Sequence, residues 1–337
     1  MPDTRIAFTA TNTVATLRDG EIPALPADGL RIRNQWTAIS PGTELACLAG
    51  LESAWFHFPS VPGYCAAGVI EAVGAQVQGW AVGEQVLHYG GHRLWQTAVP
   101  GRDFVARIPA GMAMEQAPFA RMATIAMTSL RQSAIQLGDD VAVTGLGLVG
   151  NLAAQLAALQ GAQVVAFDIA PARVAVARAC GLLGAMEGGP LTAGEAARAH
   201  LGGRGVATLI EATGRAATVV EALPLMARGG EVLLLGTPRA ALQTDLSAVL
   251  RAFHLADSAL TLKPAHEWIR PVAANPFCKH SFERDTRIAL DLIAAQRLRI
   301  APLITQRIAA DGAAATYAAL VAGTPGMAGV VIDWRGE

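Results

Sequence analysis

The sequence predicts an α/β protein in which a doubly wound parallel sheet is inserted into a β-rich domain. Three features of the 337 residues carry this expectation. The first hundred or so residues fall into short apolar or alternating runs bounded by Gly, Pro and Asp, the texture of strands and tight turns. From about Ala117, strands alternate with Ala-rich helical stretches, as βαβ units on a parallel sheet do. After these, one more strand follows at Gly329 to Trp334, and a lone strand needs a sheet to join. Its natural partner is the N-terminal β domain, which places the alternating segment as an insertion.

In chain order, the early strands are expected at Arg5 to Thr9, Leu30 to Ala38, Gly68 to Gly74, Val86 to Tyr89 and Phe104 to Ile108. The alternating region offers Val141 to Thr144, Val164 to Asp168, a weak run near Met186, Leu209 to Ala212, Val232 to Leu235 and Ala259 to Leu262. Six strands suffice for a doubly wound sheet. After Lys263 comes a Pro-containing loop, then a helix over Arg284 to Gln296 and a second helix after Asp311, a plausible N-cap. The expected boundaries are residues 1–117, 118–264 and a return to the first domain over 265–337.

Composition narrows the function classes. Lys plus Arg is 26 and Asp plus Glu 27, so a net charge of −1 provides no field for gathering nucleic acid. With 52% hydrophobic residues and 16% charged, disorder is excluded. Polar residues interrupt every apolar stretch before the roughly 18 residues that span a bilayer, so no membrane insertion is expected. The N-terminal MPDTRIAFTATNT has no basic start followed by an apolar segment, which leaves a cytoplasmic location as the default expectation. Cys47, Cys65, Cys180 and Cys278 lie far apart with no CxxC pair, as reduced thiols do.

The strongest motif is VAVTGLGLVGNLAAQLAALQGAQVVAFD. Gly145, Gly147 and Gly150 form GxGxxG between a strand and a helix: the first permits a tight turn, the second lets a pyrophosphate approach the backbone, and the third lets helix pack on strand. Asp168 ends the next strand, where a carboxylate accepts hydrogen bonds from both hydroxyls of an adenosine ribose. A 2′-phosphate beside that acid would cost on the order of a few kcal/mol, so the expected cofactor is NAD, held in a Rossmann domain.

With these motifs in place, the whole chain resembles the medium-chain dehydrogenase/reductase superfamily, in which a GroES-like β-rich catalytic domain flanks a Rossmann domain. The resemblance rests on GTE at Gly42 to Glu44, PGYCAAGVIEAVG from Pro62, LGDDVAVTGLGLVG from Leu137, EATG at Glu211 to Gly214, LPLMARGGEVLLLG from Leu223 and the late LDLIAAQRLRIAPLIT. It implies that the backbone around Leu148, Val149, Thr213, Leu235, Gly236 and Thr237 lines the pyrophosphate and nicotinamide. Arg173 falls where the family puts a basic residue beside the ribose, or is a solvated helical arginine. Homodimers are common in the family, which makes one the expectation here.

Zinc members place ligands at a Cys before GTD, a His-Glu pair and a later Cys or Asp. Here those positions hold Pro41, Tyr64, Cys65 and the Cys-free FARMATIAM, and no structural-zinc cysteines follow, so no metal is expected. His88 and His92 flank a Gly-Gly in a hairpin-like setting that does not put both rings on one face. Without zinc, another donor must meet the oxygen that gains charge during hydride transfer. Tyr64 is the first candidate, with Ser40 and Thr43 as neighbouring hydroxyls and Glu44 orienting them; the alternative is a core tyrosine holding the loop. Trp55, Phe56 and Phe58 either wall a large flat substrate or pack within the protein, and His57 either caps the substrate or is exposed.

The combination SPGTE with PGY is similar to a non-zinc subgroup typified by 2-desacetyl-2-hydroxyethyl bacteriochlorophyllide a dehydrogenase, although the acid after Tyr is replaced by Cys65. The implied activity is zinc-independent, NAD-dependent hydride transfer between nicotinamide and a secondary alcohol or ketone, with a small molecule as substrate. An NADPH quinone or enoyl reductase and a non-catalytic dinucleotide-binding protein are the alternatives.

Overall fold

The computed structural model describes residues 3–337. The expected architecture is present: a six-stranded parallel sheet interrupts a β-rich, GroES-like fold in sequence. Two compact units form, one from Met1–Arg121, Arg287–Gln296 and Ile304–Glu337, the other from Met122–Thr286 and Arg297–Leu303.

The first unit is built on a seven-stranded sheet. Its centre, Leu30–Ala38, alternates buried and half-buried residues as a strand with one face on a core must. Ala66–Val73 pairs with it antiparallel on one side, and Gln85–His88 and Val105–Arg107 continue outward. On the other side it receives the late strand Gly329–Asp333, with Val331 opposite Ala38 and Asp333 opposite Trp36. The strand Ile304–Ala309 then adds parallel to Gly329–Asp333. Asp3–Ala10 and Thr13–Gly20 form a separate hairpin whose Ile6 and Phe8 are fully buried with Ile39, Leu48, Tyr317, Val330 and Trp334.

The second unit orders its strands Ala185–Glu187, Gln163–Asp168, Asp140–Thr144, Val206–Glu211, Met226–Leu234 and Thr261–Pro264. Numbered along the chain this is the 3-2-1-4-5-6 order of a doubly wound sheet, whose switch point lies between Asp140–Thr144 and Val206–Glu211. Both faces are covered by helices, so the strands are nearly continuous apolar runs, with Ala142, Val165, Phe167, Leu209 and Val232 in one buried cluster.

Two expectations are corrected. Asp311 does not cap the last helix: that helix runs Ala313–Val321 with Gly312 at its cap position, and the Asp311 carboxylate pairs instead with Arg18 at 2.7 Å. The SPGTE segment leads into the helix Pro41–Leu48, with Pro41 in its first turn where a missing N–H costs nothing. The first early strand extends to Asp3–Ala10 because it is half of a hairpin, and the other half, Thr13–Gly20, is largely outside the core and shows no alternation.

Candidate functional site

The C-terminal ends of the central parallel strands gather the residues expected to hold a dinucleotide. Gly145 has φ +88°, open to glycine, and a Cβ there would lie 2.8 Å from the Thr213 side chain. A Cβ on Gly150 would sit 1.9 Å from the Gly145 carbonyl oxygen, so helix Leu148–Leu159 can cross its strand only with glycine at this point. Gly147 meets nothing within 4 Å. It stands at the N-cap of that helix, which no side chain caps, leaving the first-turn N–H groups to face an anion. This open cradle fits a pyrophosphate.

Asp168 is buried at the tip of Gln163–Asp168. Its carboxylate accepts the Leu146 N–H at 2.8 Å and the Ala170 N–H at 2.9 Å, and Arg173 Nη1 lies 3.5 Å away. The acid therefore pins the glycine loop. A carboxylate has about four lone-pair directions, so two backbone bonds leave acceptor capacity for ribose hydroxyls.

Thr213, Leu235 and Gly236 are drawn together by Glu211, a residue outside the expected site. Its carboxylate accepts the N–H of Thr213 at 2.7 Å, the N–H of Gly214 at 3.1 Å and the Thr213 hydroxyl. Its carbonyl accepts the N–H of Leu235 at 2.9 Å and of Gly236 at 2.8 Å. Burial holds the Glu211 carboxyl above the usual range, opposed by these hydrogen bonds. The turn is tight enough that a Cβ on Gly214 would meet the Thr237 carbonyl oxygen at 2.6 Å.

In the β-rich unit, Ser40, Thr43, Glu44 and Tyr64 form a second cluster. The Tyr64 hydroxyl donates to Ser40 Oγ at 2.5 Å, with Thr43 Oγ1 at 3.5 Å. Burial, and then the neighbouring Cys65, push the phenol well above its ordinary pKa; hydrogen bonds to Ser40 and Thr43 and the Arg121 guanidinium oppose them. Tyr64 thus stays protonated through neutral pH.

Glu44 is 1% exposed and serves as the anchor of this cluster. It accepts the Ser40 N–H at 2.7 Å, the Tyr317 hydroxyl, and His92 Nε2 at 3.0 Å. Behind His92 the chain continues through Thr37: Trp334 Nε1–H donates to Thr37 Oγ1 at 3.0 Å, and Thr37 Oγ1 lies 2.8 Å from His92 Nδ1. Burial, followed by the Glu44 charge, pushes the Tyr317 phenol well above its usual range.

His88 and His92 go separate ways: His88 Nε2 meets Asn34 Oδ1 at 2.7 Å and its Nδ1 accepts the Gly90 N–H at 3.0 Å. Among the described residues no group of three or more His, Cys, Asp or Glu side chains could hold a metal ion. Pro41 has no donor and Tyr64 is engaged with Ser40, so the zinc-ligand positions do not fit that metal. The aromatic loop is split: Phe56 and Phe58 pack edge-on near Phe8, whereas Trp55 is 58% exposed and donates to Glu52 at 3.0 Å, and His57 is exposed.

Sequence reasoning gave Tyr317 and Arg121 no role, weighed His92 only as a metal ligand and took Glu211 only as part of the EATG motif. A charged residue at a strand end or inside an apolar run, as in FARMATIAM, was the available signal for Glu211 and Arg121; the pairing of Tyr317 with Glu44, 273 residues apart, had none.

Residues 26–99 match the family described as alcohol dehydrogenase GroES-like domain, and residues 149–268 match zinc-binding dehydrogenase. The chain is 31% identical over 212 residues to alcohol dehydrogenase notN of Aspergillus sp. (strain MF297-2), a match covering 54% of this chain and 61% of that protein. Its fold is shared with galactitol-1-phosphate dehydrogenase from Escherichia coli, at TM-score 0.83 and 18% identity over 98% of this chain and 99% of the other. It is also shared with rspB from E. coli CFT073, complexed with NADH, at TM-score 0.80 and 19% identity over 98% and 99%.

Proposed function

We propose that the chain, which matches the alcohol dehydrogenase GroES-like domain over residues 26–99 and zinc-binding dehydrogenase over residues 149–268, is a zinc-independent, NAD-dependent medium-chain dehydrogenase/reductase acting on a secondary alcohol or its ketone. The single observation that carries this reading is the Tyr64 phenol, protonated and hydrogen-bonded to Ser40, at a position where zinc members place a metal ligand. Nicotinamide, when bound, supplies the hydride acceptor or donor.

In the reductive direction, the Tyr64 hydroxyl turns from Ser40 Oγ to the substrate oxygen, donates a hydrogen bond as that oxygen gains negative charge and passes its proton to the more basic alkoxide, the phenolate then regaining a proton from solvent. Ser40 and Thr43 fix the phenol, and Glu44, through the Ser40 N–H, fixes Ser40. A phenol that is protonated at rest suits this role, since a phenolate would repel the developing charge. The open backbone at Gly147 and the Leu148–Leu159 N-terminus would hold the pyrophosphate, and Asp168 the adenosine ribose. Asp168 supports NAD over NADP because a buried acid disfavours an adjacent 2′-phosphate.

Similarity to the bacteriochlorophyllide-type subgroup supports the reaction class. The exposed Leu262 on the edge strand Thr261–Pro264 supports a homodimer. The test is turnover of a panel of secondary alcohols and ketones with NADH and NADPH, alongside elemental analysis for zinc. Tyr64→Phe is expected to lower kcat about 100-fold with NADH affinity unchanged. Asp168→Ala is expected to weaken NADH about tenfold and NADPH less. Undiminished turnover by Tyr64→Phe, or stoichiometric zinc, overturns the reading.

A further inference from the structure

Arg121, met above only as one of the groups acting on the Tyr64 phenol, is 3% exposed. It lies in the first turn of the helix Phe119–Gln132, the end at which the helix dipole disfavours a cation. A guanidinium remains charged in proteins. Its central carbon is 5.2 Å from the centre of the Tyr64 ring and 4.7 Å from that of Tyr89. Tyr89 is in turn stacked on Phe104 at 4.5 Å and 27°, which holds its ring in place beneath the cation. The attraction of a cation to a ring face grows as the pair is withdrawn from water, and here a buried guanidinium meets two half-buried rings.

We propose that Arg121 is a positioning residue for Tyr64: its guanidinium lies over the phenol ring, holds the hydroxyl toward Ser40 and strengthens that hydroxyl as a hydrogen-bond donor. This rests on the reading that Tyr64 meets the substrate oxygen. The other groups acting on Tyr64 are the hydroxyls of Ser40 and Thr43 and the thiol of Cys65. Of these four, Arg121 is the one permanent positive charge, and a cation on a ring face draws electron density from the phenol oxygen. Part of the charge that a metal would supply in a zinc member is thereby carried by a side chain from FARMATIAM, the segment in which such members place a late ligand.

The test reads Tyr64 directly. Incorporating 2,3,5-trifluorotyrosine at position 64 of the full chain brings the phenol's ionisation within reach of a 19F NMR titration, even with the upward push of burial. In Arg121→Gln the midpoint is expected to rise by about half a unit or more. Arg121→Met, which keeps the apolar stem, is the second neutral variant and reads the same way should the first not fold; NADH binding by fluorescence reports that each variant is intact. In parallel, kcat for ketone reduction is expected to fall about tenfold with KM nearly unchanged. An unmoved midpoint in a folded neutral variant overturns the proposal. A moved midpoint with no turnover of any alcohol or ketone upholds Arg121's hold on Tyr64 and refutes the function proposed above.

Discussion

The two candidate sites are built from different materials. At the sheet edge, the work is done by backbone: glycines that make room, a helix N-terminus that presents N–H groups, and the carboxylates Asp168 and Glu211, which hold the turns by accepting backbone N–H bonds. Around Tyr64, the work is done by side chains from five stretches of chain: Ser40 to Glu44, Tyr64, His92, Arg121 and Tyr317. A backbone site tolerates changes of side chain but not of shape. A side-chain site tolerates small changes of shape but not the loss of a partner. The two should therefore fail differently, the open space of the first by losing its ligand and the side-chain cluster of the second by losing stability.

The largest effect is expected at Glu44. Glu44→Ala leaves the Ser40 N–H, the His92 Nε2–H and the Tyr317 hydroxyl without their acceptor in a buried place, at a cost of about 3–5 kcal/mol. Thermal unfolding should shift down by roughly 10 °C. A variant that melts with the wild type would mean the cluster is not the structural anchor described here.

His88 sharpens the same contrast through pH. Burial lowers its pKa to about 4, and both ring nitrogens are committed in the neutral form: Nε2–H to Asn34, and Nδ1 to the Gly90 N–H, which a second proton would confront. Between pH 6.5 and 4 the unfolded chain binds a proton that the folded chain refuses, so stability falls as pH falls through that window. The loss between pH 7 and 5 is about 2 kcal/mol, measured by urea unfolding at the two pH values. His88→Gln should remove that part of the pH dependence; an unchanged dependence would show that His88 is not its source.

The same division explains what could be read in the sequence. Strand Leu30–Ala38 was legible to the residue, because its alternation is set by the core beneath it, and the glycine loop was legible because its GxGxxG spacing between a strand and a helix is confined to a few consecutive residues. The late strand Gly329–Asp333 was placed by its need for a partner. Thr13–Gly20 escaped because it is half-buried at most and patterned by nothing but its hairpin mate. Asp311 had the right residue type for a cap but a nearer cation in Arg18, a contact across nearly the whole chain. Tyr64, Ser40, Thr43 and Glu44 were named together because the family resemblance puts Tyr64 at a zinc-ligand position and the GTE segment beside it. Their partners His92, Tyr317 and Arg121 were not, since a hydrogen bond or ring contact between distant segments leaves no local pattern.

The finest test separates room from contact within the glycine loop itself. Gly147 and Gly150 are three residues apart, yet an added Cβ has opposite consequences. On Gly150 it would lie 1.9 Å from a backbone oxygen that cannot move aside, so Gly150→Ala should destabilise the fold by about 1–3 kcal/mol whether or not a ligand is present. On Gly147 it meets nothing, and φ of −62° suits any residue, so Gly147→Ala should unfold at the wild-type temperature. What it fills is the space into which a pyrophosphate would come, and NADH affinity measured by fluorescence should drop about tenfold. If Gly147→Ala instead binds NADH as tightly as the wild type, the open space at the helix N-terminus is not where the dinucleotide lies.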